Sequence, residues 1–161
     1  MDLSDVRFLK AAREEAASIV QFQLAMAKES EDLVLDPTVC AAGVNAVFER
    51  PQLGEYHVCQ VKVDGRFKTV GNLLIIPEWS DWRNGMVWWI HSVYILPEYR
   101  GRGLFSAFYR HIQKTVQDSS TLRGLRLYVD KTNLHAQKVY QKIGMSNAHY
   151  DLYEWIKESK N

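Results

Sequence analysis

The sequence predicts one α+β, or mixed α/β, domain in which a β-hairpin region precedes a β-α-β unit. The 161 residues are enough for one domain that buries about two-thirds of its unfolded surface. Apolar residues recur at helical spacing in some segments and form short β-prone runs in others, in the order β-α-α-β-β-β-α-β-α-β. No repeat, low-complexity segment or linker divides the chain, so the predicted domain covers residues 1–161.

The N-terminal third is expected to contain one strand and two helices. A short strand is predicted at residues 6–11, and an amphipathic helix at 12–29, where apolar residues recur every three or four positions. A second helix is predicted to begin at Asp36-Pro37, because aspartate caps helix N-termini well and proline is favoured at the first helical position. This helix is expected to end before Pro51.

The middle of the chain is expected to contain three strands. Asp64-Gly65 separates two β-prone runs, 56–63 and 67–76, and this dipeptide is a strong signal for a hairpin. A loop is predicted at 77–85, and the longest strand follows at 86–96.

The C-terminal part is predicted to alternate helices and strands. A helix with one apolar face is expected at 103–117, and a strand at 124–129. A further helix is expected at 133–143, where Gly144 stops it. A last strand is predicted at 150–156.

Composition and charge argue against several classes of partner. Hydrophobic residues make up 47% and charged residues 24%, as in ordinary globular proteins. The net charge is +1 and no run of like charges occurs, so neither a nucleic acid nor a membrane surface is an expected partner. The acidic N-terminus lacks the basic and apolar blocks of a signal peptide, and a cytoplasmic protein is expected.

The two cysteines, Cys40 and Cys59, form no CxxC pair, and no His/Cys cluster has zinc spacing, so no metal site is expected. Both cysteines are interpreted as small apolar fillers. The alternative, a cysteine nucleophile, would need a histidine partner.

The stretch RGRGLF, residues 100–105, lies between the longest strand and the helix that follows it. Main-chain N–H groups at such a turn point outward, and the helix N-terminus adds partial positive charge, so an anion is favoured there. A Walker loop would need GxxxxGK[ST], which is absent, and a dinucleotide fingerprint would need a glycine where Ser106 stands. Taken alone, the glycines could also be a turn without a ligand.

Two motifs together resemble the GNAT (GCN5-related) N-acetyltransferase superfamily. The first, [RQ]-x-x-G-x-[GA] after a strand ending in a sequence similar to Val-x-Pro, is similar to VYILPEYRGRGL at residues 93–104. The second, N-x-x-A-x-x-x-Y-x-x-x-G-[FM], matches NLHAQKVYQKIGM at residues 133–145. Their order and separation make the pair more specific than either motif, and the resemblance extends over the N-terminal helices and the hairpin. One residue departs from it: Phe105 stands where glycine or alanine is usual, and it is expected to pack into the core.

The resemblance implies a central twisted mixed β-sheet flanked by helices, with acetyl-CoA as the acetyl donor. The diphosphate of acetyl-CoA would lie on the main-chain N–H groups of residues 100–105, which we call the glycine loop. The residues that the resemblance places at acetyl-CoA are Val93, Tyr94, Ile95, Arg100, Gly101, Arg102, Gly103, Leu104, Phe105, Asn133, Ala136 and Tyr140.

Acetyl transfer to an amine needs a deprotonated amine, hydrogen-bond donors for the oxyanion and a proton for the departing thiolate. Tyr140 matches the motif tyrosine and is the expected acid, because a phenol remains a donor at physiological pH. The alternative is a core tyrosine on the apolar face of its helix. The resemblance implies the N–H groups of Val93 and Ile95 as oxyanion donors.

His91 is the expected general base. It lies two residues before Val93, shares its face if the strand is regular, and titrates near neutrality. In diamine acetyltransferases, which the chain resembles around the loop, a glutamate occupies the matching position. A strand histidine with a packing role is the alternative.

The acceptor site is predicted from carboxylates and tryptophans at the end of the first helix and before the longest strand. Carboxylates beside aromatic faces suit a small cation, through ion pairing and cation–π contact. The expected substrate-binding residues are Glu29, Glu31, Glu78, Trp79, Trp82 and Trp89. The alternative is that the carboxylates are only solvated and the tryptophans belong to the core.

The sequence therefore predicts an acetyl-CoA-dependent N-acetyltransferase. Its expected acceptor is the primary amine of a small cation such as a polyamine, diamine or amino acid, attacking directly in a ternary complex. The resemblance also suggests a homodimer. The alternatives are a protein or peptide acetyltransferase and a non-catalytic acyl-CoA-binding module; a module that only binds would not need Tyr140.

Overall fold

The computed structural model describes residues 5–157, and within that range the chain forms five β-strands and four α-helices. They are β1 (Val6–Lys10), α1 (Ala16–Glu31), α2 (Pro37–Glu49), β2 (Glu55–Val63), β3 (Arg66–Ser80), β4 (Gly85–Ile95), α3 (Leu104–Asp118), β5 (Leu122–Arg126) and α4 (Leu134–Lys142). The strands form one sheet in the order β1-β2-β3-β4-β5. Neighbouring strands are antiparallel from β1 to β4, whereas β4 and β5 are parallel. The predicted mixed α/β class is confirmed.

The chain divides into two compact units. Met1–Leu127 contains the whole sheet and α1 to α3, and Tyr128–Asn161 contains α4. The glycine loop therefore belongs to the first unit and the second sequence motif to the second. In the part of the chain that the structure describes, no helix is long and apolar enough to cross a membrane.

Two short-range signals are confirmed by the backbone. The Asp36 carboxylate accepts hydrogen bonds from the N–H groups of Thr38, at 2.7 Å, and Val39, at 3.2 Å, and so caps α2. Asp64 and Gly65 have φ angles of +49° and +79°. Positive φ at both central residues is the type I′ turn that joins two-residue hairpins.

Strand β3 is longer than the sequence predicted, because it continues through Pro77 to Ser80. The prediction of a loop at 77–85 is therefore mostly wrong, because only residues 81–84 form the turn between β3 and β4. Beyond Ile75, β3 pairs with β4 alone. Pro77 thus lies where β3 has become an edge strand, and an edge tolerates a residue without an N–H group.

The strand predicted at residues 150–156 is wrong. This run has no strand conformation, and its large apolar side chains are exposed; Tyr153 and Trp155 are 91% and 86% exposed. A β-prone composition describes side chains that suit a sheet, but a strand forms only where a neighbouring strand accepts its main-chain hydrogen bonds.

The two faces of the sheet are covered by different helices. Leu9 packs with Ile19 of α1 and Val44 of α2, in a cluster that also buries residues of β2. Phe8, the preceding residue, points to the other face and stacks on Phe108 of α3, with ring centroids 5.0 Å apart. Helices α1 and α2 thus lie on one face and α3 on the other.

Candidate active site

The glycine loop leaves the N-terminus of α3 without a side-chain cap. Gly101 and Gly103 have φ angles of +72° and +77°, which glycine adopts without strain. Gly103 is the N-cap residue, and it has no side chain that could cap the first turn. A Cβ atom built at either glycine would have no neighbour within 4 Å, so the loop borders open space. The 15-residue helix therefore presents main-chain donors and its positive end to a position that an anion can occupy.

Three basic side chains lie at this loop. Arg100 donates from Nε to the carbonyl oxygen of Ile95 at 2.7 Å, so it is held against the end of β4. Arg102 and Lys68 lie against the ring of Tyr99, 5.7 and 5.8 Å from its centroid. Lys68 was missed by the sequence analysis because it precedes the loop by more than 30 residues and only the β3–β4 pairing brings it close.

Phe105 does not enter the core fully. Leu104 is 2% exposed and fills the core at the start of α3, whereas Phe105 is half-buried. Its ring lies beside that of Tyr109, one helical turn further on, with centroids 6.5 Å apart. The expectation that Phe105 packs into the core is thus met only in part, because Leu104 already occupies the buried position.

Within residues 5–157, no strand pairs with the second half of β4 on its β5 side. The ladder between the two strands ends at Trp89 and Arg126. The Leu96 N–H donates to Val70 on the β3 side at 2.8 Å, so the main-chain groups of Ile95 point to the opposite edge. That edge lies beyond the end of the ladder with β5.

A β-bulge interrupts β4 directly after His91. Ser92 has a φ angle of +50°, and Ser92 and Val93 together lie opposite the single residue Leu73 of β3. The fully buried amide of Asn72 donates to the Ser92 carbonyl at 3.2 Å. The strand is therefore not regular here, and simple alternation does not place the side chains of His91 and Val93 on one face. This premise of the sequence analysis is wrong.

Burial lowers the pKa of His91 from its ordinary value. The side chain is half-buried and lies near Trp89, with ring centroids 6.2 Å apart. Because charging the ring would require desolvating a cation, the imidazole is largely neutral at pH 7. A neutral imidazole can accept a proton.

Glu29, expected at the acceptor, is held by two partners within the first unit. It accepts a hydrogen bond from the hydroxyl of Tyr94 at 2.9 Å and pairs with Arg100 at 2.7 Å. Burial alone would raise the pKa of Glu29, but these two hydrogen bonds and the charge of Arg100 outweigh it and lower the pKa. Glu31, two residues later, is exposed.

Glu78 and Trp89 lie together, as the acceptor prediction requires, but with a cation that the sequence analysis missed. The indole N–H of Trp89 donates to the Glu78 carboxylate, and Arg126 donates to both of its oxygens at 2.9 and 3.0 Å. These hydrogen bonds lower the pKa of Glu78 despite its partial burial. Residues of three neighbouring strands thus form a nearly neutral cluster on the face that α1 covers.

The other two predicted tryptophans are not part of this cluster. Trp79 is next to Glu78 in a strand, so its side chain points to the opposite face, where it is 57% exposed. Trp82 lies in the turn before β4 and is 87% exposed. The grouping of both with Trp89 was based on sequence proximity alone.

In the second unit, the second motif forms a capped helix. Asn133 is the N-cap of α4, and its side chain accepts the N–H of Ala136 at 3.0 Å. Gly144, with φ +91°, follows the helix end as expected. Burial raises the pKa of Tyr140 above its ordinary value, so its hydroxyl keeps its proton throughout the physiological pH range.

The two cysteines do not resemble nucleophiles. Cys59 is fully buried, and burial raises its pKa to about 12. Burial also raises the pKa of Cys40. A thiol with a raised pKa forms little thiolate at neutral pH. Within residues 5–157, no group of three or more histidine, cysteine, aspartate or glutamate side chains could hold a metal ion.

Comparison with known families identifies the chain. The sequence profile of the Acetyltransferase (GNAT) family matches residues 24–145, which include both motifs. The chain belongs to the GNAT acetyltransferase family. It is an N-acetyltransferase, and its fold is that of a GNAT protein.

Solved structures support this assignment. A possible acetyltransferase from Clostridium difficile 630 is similar, with 34% sequence identity and a TM-score of 0.87 over 96% of this chain and 99% of that chain. The fold is shared with ribosomal-protein-alanine N-acetyltransferase from Brucella melitensis biovar Abortus 2308, at 14% identity and TM-score 0.71 over 94% and 99% of the two chains. It is also shared with glucosamine-6-phosphate N-acetyltransferase from Arabidopsis thaliana, at 14% identity and TM-score 0.68 over the same shares. A search of curated proteins found no match.

For this GNAT acetyltransferase, local motifs in the sequence located the glycine loop, Asn133 and Tyr140. No local pattern indicated Arg126 or Asn72, because their partners are distant in the chain. Arg126 pairs with Glu78 across 48 residues, and Asn72 contacts Ser92 across 20. Each of these contacts depends on the strand register.

Proposed function

We propose that the protein transfers an acetyl group from acetyl-CoA to the primary amine of a small molecule, by direct attack in a ternary complex. The observation that carries the proposal is the uncapped N-terminus of α3, with Gly101 and Gly103 bordering open space in a GNAT chain. The loop donors fit a diphosphate, because they are main-chain N–H groups at the positive end of a helix. We further propose that residues 1–161 act as one acetyltransferase domain.

The residues of this chain fit the proton and charge changes of acetyl transfer. Acetyl-CoA supplies the acetyl group as a thioester. The N–H group of Ile95 points to the unpaired edge of β4, and we assign it and that of Val93 to the developing oxyanion. His91, kept neutral by burial, takes a proton from the attacking amine. Tyr140, kept protonated by burial, gives a proton to the departing thiolate.

The acceptor is proposed to be a small amine, with cationic amines as the first class to test. Glu31 is an exposed carboxylate at the end of α1, and the Trp89 ring lies beside Glu78, with the guanidinium of Arg126 5.7 Å from the ring centroid. Glu29 and Glu78 are each paired with an arginine, so they offer less net negative charge to a cation than the sequence suggested. Neutral amines therefore belong in the same test, together with the diamines suggested by the resemblance around the loop.

Thiol release from acetyl-CoA tests this function. The purified protein is incubated with acetyl-CoA and with diamines, polyamines, amino acids, neutral aromatic amines or lysine-containing peptides, and free thiol is measured against an amine-free control. We expect release that depends on a small amine. Release with peptides alone would instead indicate a protein acetyltransferase. Binding of acetyl-CoA without release for any amine would indicate a module that only binds.

The pH dependence of kcat/KM tests His91. Because the base must be neutral and burial lowers its pKa, we expect kcat/KM to rise with pH through an apparent pKa below 6.5. His91→Ala is expected to remove this acidic limb and to lower kcat/KM by about 10²-fold. The control is His149→Ala, since His149 is an exposed histidine in the second unit. An acidic limb that is the same in wild type and His91→Ala would exclude His91 as the base.

A further inference from the structure

Glu29 joins three elements that meet at the beginning of the glycine loop. It lies in the last turn of α1 and accepts the Tyr94 hydroxyl at 2.9 Å through Oε1. Its other oxygen, Oε2, pairs with Nη2 of Arg100 at 2.7 Å. One carboxylate thus connects the end of α1 with the end of β4 and with the first residue of RGRGLF.

The Arg100 side chain is held on three sides by the protein. Nε donates to the Ile95 carbonyl at 2.7 Å, Nη2 donates to Glu29, and the guanidinium lies 5.1 Å from the centre of the Tyr94 ring. A planar guanidinium that makes directed hydrogen bonds on two sides has a fixed orientation. Since Gly101 and Gly103 have no side chains, the contacts of Arg100 are the ones that tie the start of the loop to the end of β4 and to α1.

We propose that Glu29 is a positioning residue for the acetyl-CoA loop. It holds Arg100 against the end of β4, so that Gly101 to Gly103 present their main-chain donors at a fixed place. Arg100 is then an anchor of the loop, and the anion is held by the backbone. This inference rests on the proposed use of acetyl-CoA, and it replaces the sequence-based assignment of Glu29 to the acceptor amine.

A direct phosphate contact by Arg100 predicts the opposite effect of removing Glu29. If Arg100 bound the diphosphate through its charge, Glu29 would compete for that charge and add repulsion, so its loss would strengthen binding. If Arg100 is an anchor, loss of Glu29 releases the loop, and binding then has to order it again. The sign of the change in acetyl-CoA affinity therefore separates the two roles.

The test measures acetyl-CoA binding to the full chain by titration calorimetry, without an acceptor amine. Glu29→Met keeps helix propensity and side-chain volume but removes both oxygens. We expect acetyl-CoA to bind about three- to tenfold more weakly, the range for a partly exposed charged hydrogen-bond pair. The control is Glu49→Met, which removes an exposed ion pair with Arg13 at the end of α2 and is expected to leave affinity within about twofold.

A double-mutant cycle with Arg100→Met completes the test. We expect Arg100→Met to weaken acetyl-CoA binding, and the double variant to bind no more weakly than the weaker single variant, because both remove one anchor. In steady-state kinetics, both single variants should show a higher KM for acetyl-CoA. If only the KM for the acceptor amine rises, Glu29 binds the acceptor, as the sequence predicted, and the inference is wrong.

The outcomes distinguish this inference from the proposed function. If the wild-type protein binds acetyl-CoA and Glu29→Met binds it equally well or more tightly, the inference is wrong and the proposed function stands. If the wild-type protein does not bind acetyl-CoA, the proposed function is wrong and the inference fails with it.

Discussion

Tyr140→Phe is expected to lower kcat for acetyl transfer by about 10²-fold or more, the usual contribution of a general acid. The variant keeps the ring and loses only the hydroxyl. Because burial raises the pKa of this hydroxyl, it holds its proton at the pH of the reaction and can donate it to the departing thiolate. The measurement is kcat at saturating acetyl-CoA and amine, together with acetyl-CoA affinity by calorimetry.

The affinity measurement separates a catalytic loss from a structural one. Acetyl-CoA affinity within about twofold of wild type would show that the Tyr140→Phe site is intact. Tyr153→Phe is the matched control, because Tyr153 belongs to the same unit and is 91% exposed. A Tyr140→Phe variant with the kcat of the wild type would contradict the proposed acid. A loss of affinity equal to the loss of kcat/KM would assign the tyrosine to cofactor binding.

Gly103→Val is expected to weaken acetyl-CoA binding by about tenfold or more. The φ angle of +77° is strained for a β-branched residue, at a cost of about 1–3 kcal/mol. A side chain at this position would also project into the open space beside the uncapped N-terminus of α3. Both the place of the main-chain donors and the space in front of them would change.

Gly65→Val is the control that separates backbone strain from loss of the site. Gly65 has a φ angle of +79° and no neighbour within 4 Å of a built Cβ atom, but it lies in the β2–β3 hairpin. Both variants should lose similar free energy of unfolding, measured by denaturant titration. Only Gly103→Val should lose acetyl-CoA affinity. Equal affinities in the two variants would argue against a diphosphate at the α3 N-terminus.

The signals that predicted the fold correctly are short-range. Asp36 caps α2 through N–H groups two and three residues away, and Asp64-Gly65 makes a turn from its own two φ angles. Helix caps and turns depend on a few consecutive residues, so they can be predicted directly from the sequence. The same holds for the glycine loop and for Asn133, which caps the helix that begins at the next residue.

The predictions that failed depended on neighbours that local sequence does not specify. Residues 150–156 have the composition of a strand but no strand conformation, whereas β3 can include Pro77 because β2, which begins at Glu55 opposite Ile75, does not extend beside it. The bulge at Ser92 is a shift in the register between β3 and β4, and no residue pattern around His91 predicts it. Strand pairing, and not propensity, decided each case.

Local sequence was enough to predict a mixed α/β acetyltransferase, because caps, turns and motif spacing involve residues close together in the chain; it also led to the proposal of an anion site at residues 100–105. The partners of the charged residues became visible only in the folded chain. Glu29 meets Arg100 across 71 residues and Glu78 meets Arg126 across 48, through strands and helices that are adjacent in space. Carboxylates that suggested a cation site in the sequence are thereby paired with arginines, since two opposite charges brought together in a partly desolvated site stabilise each other.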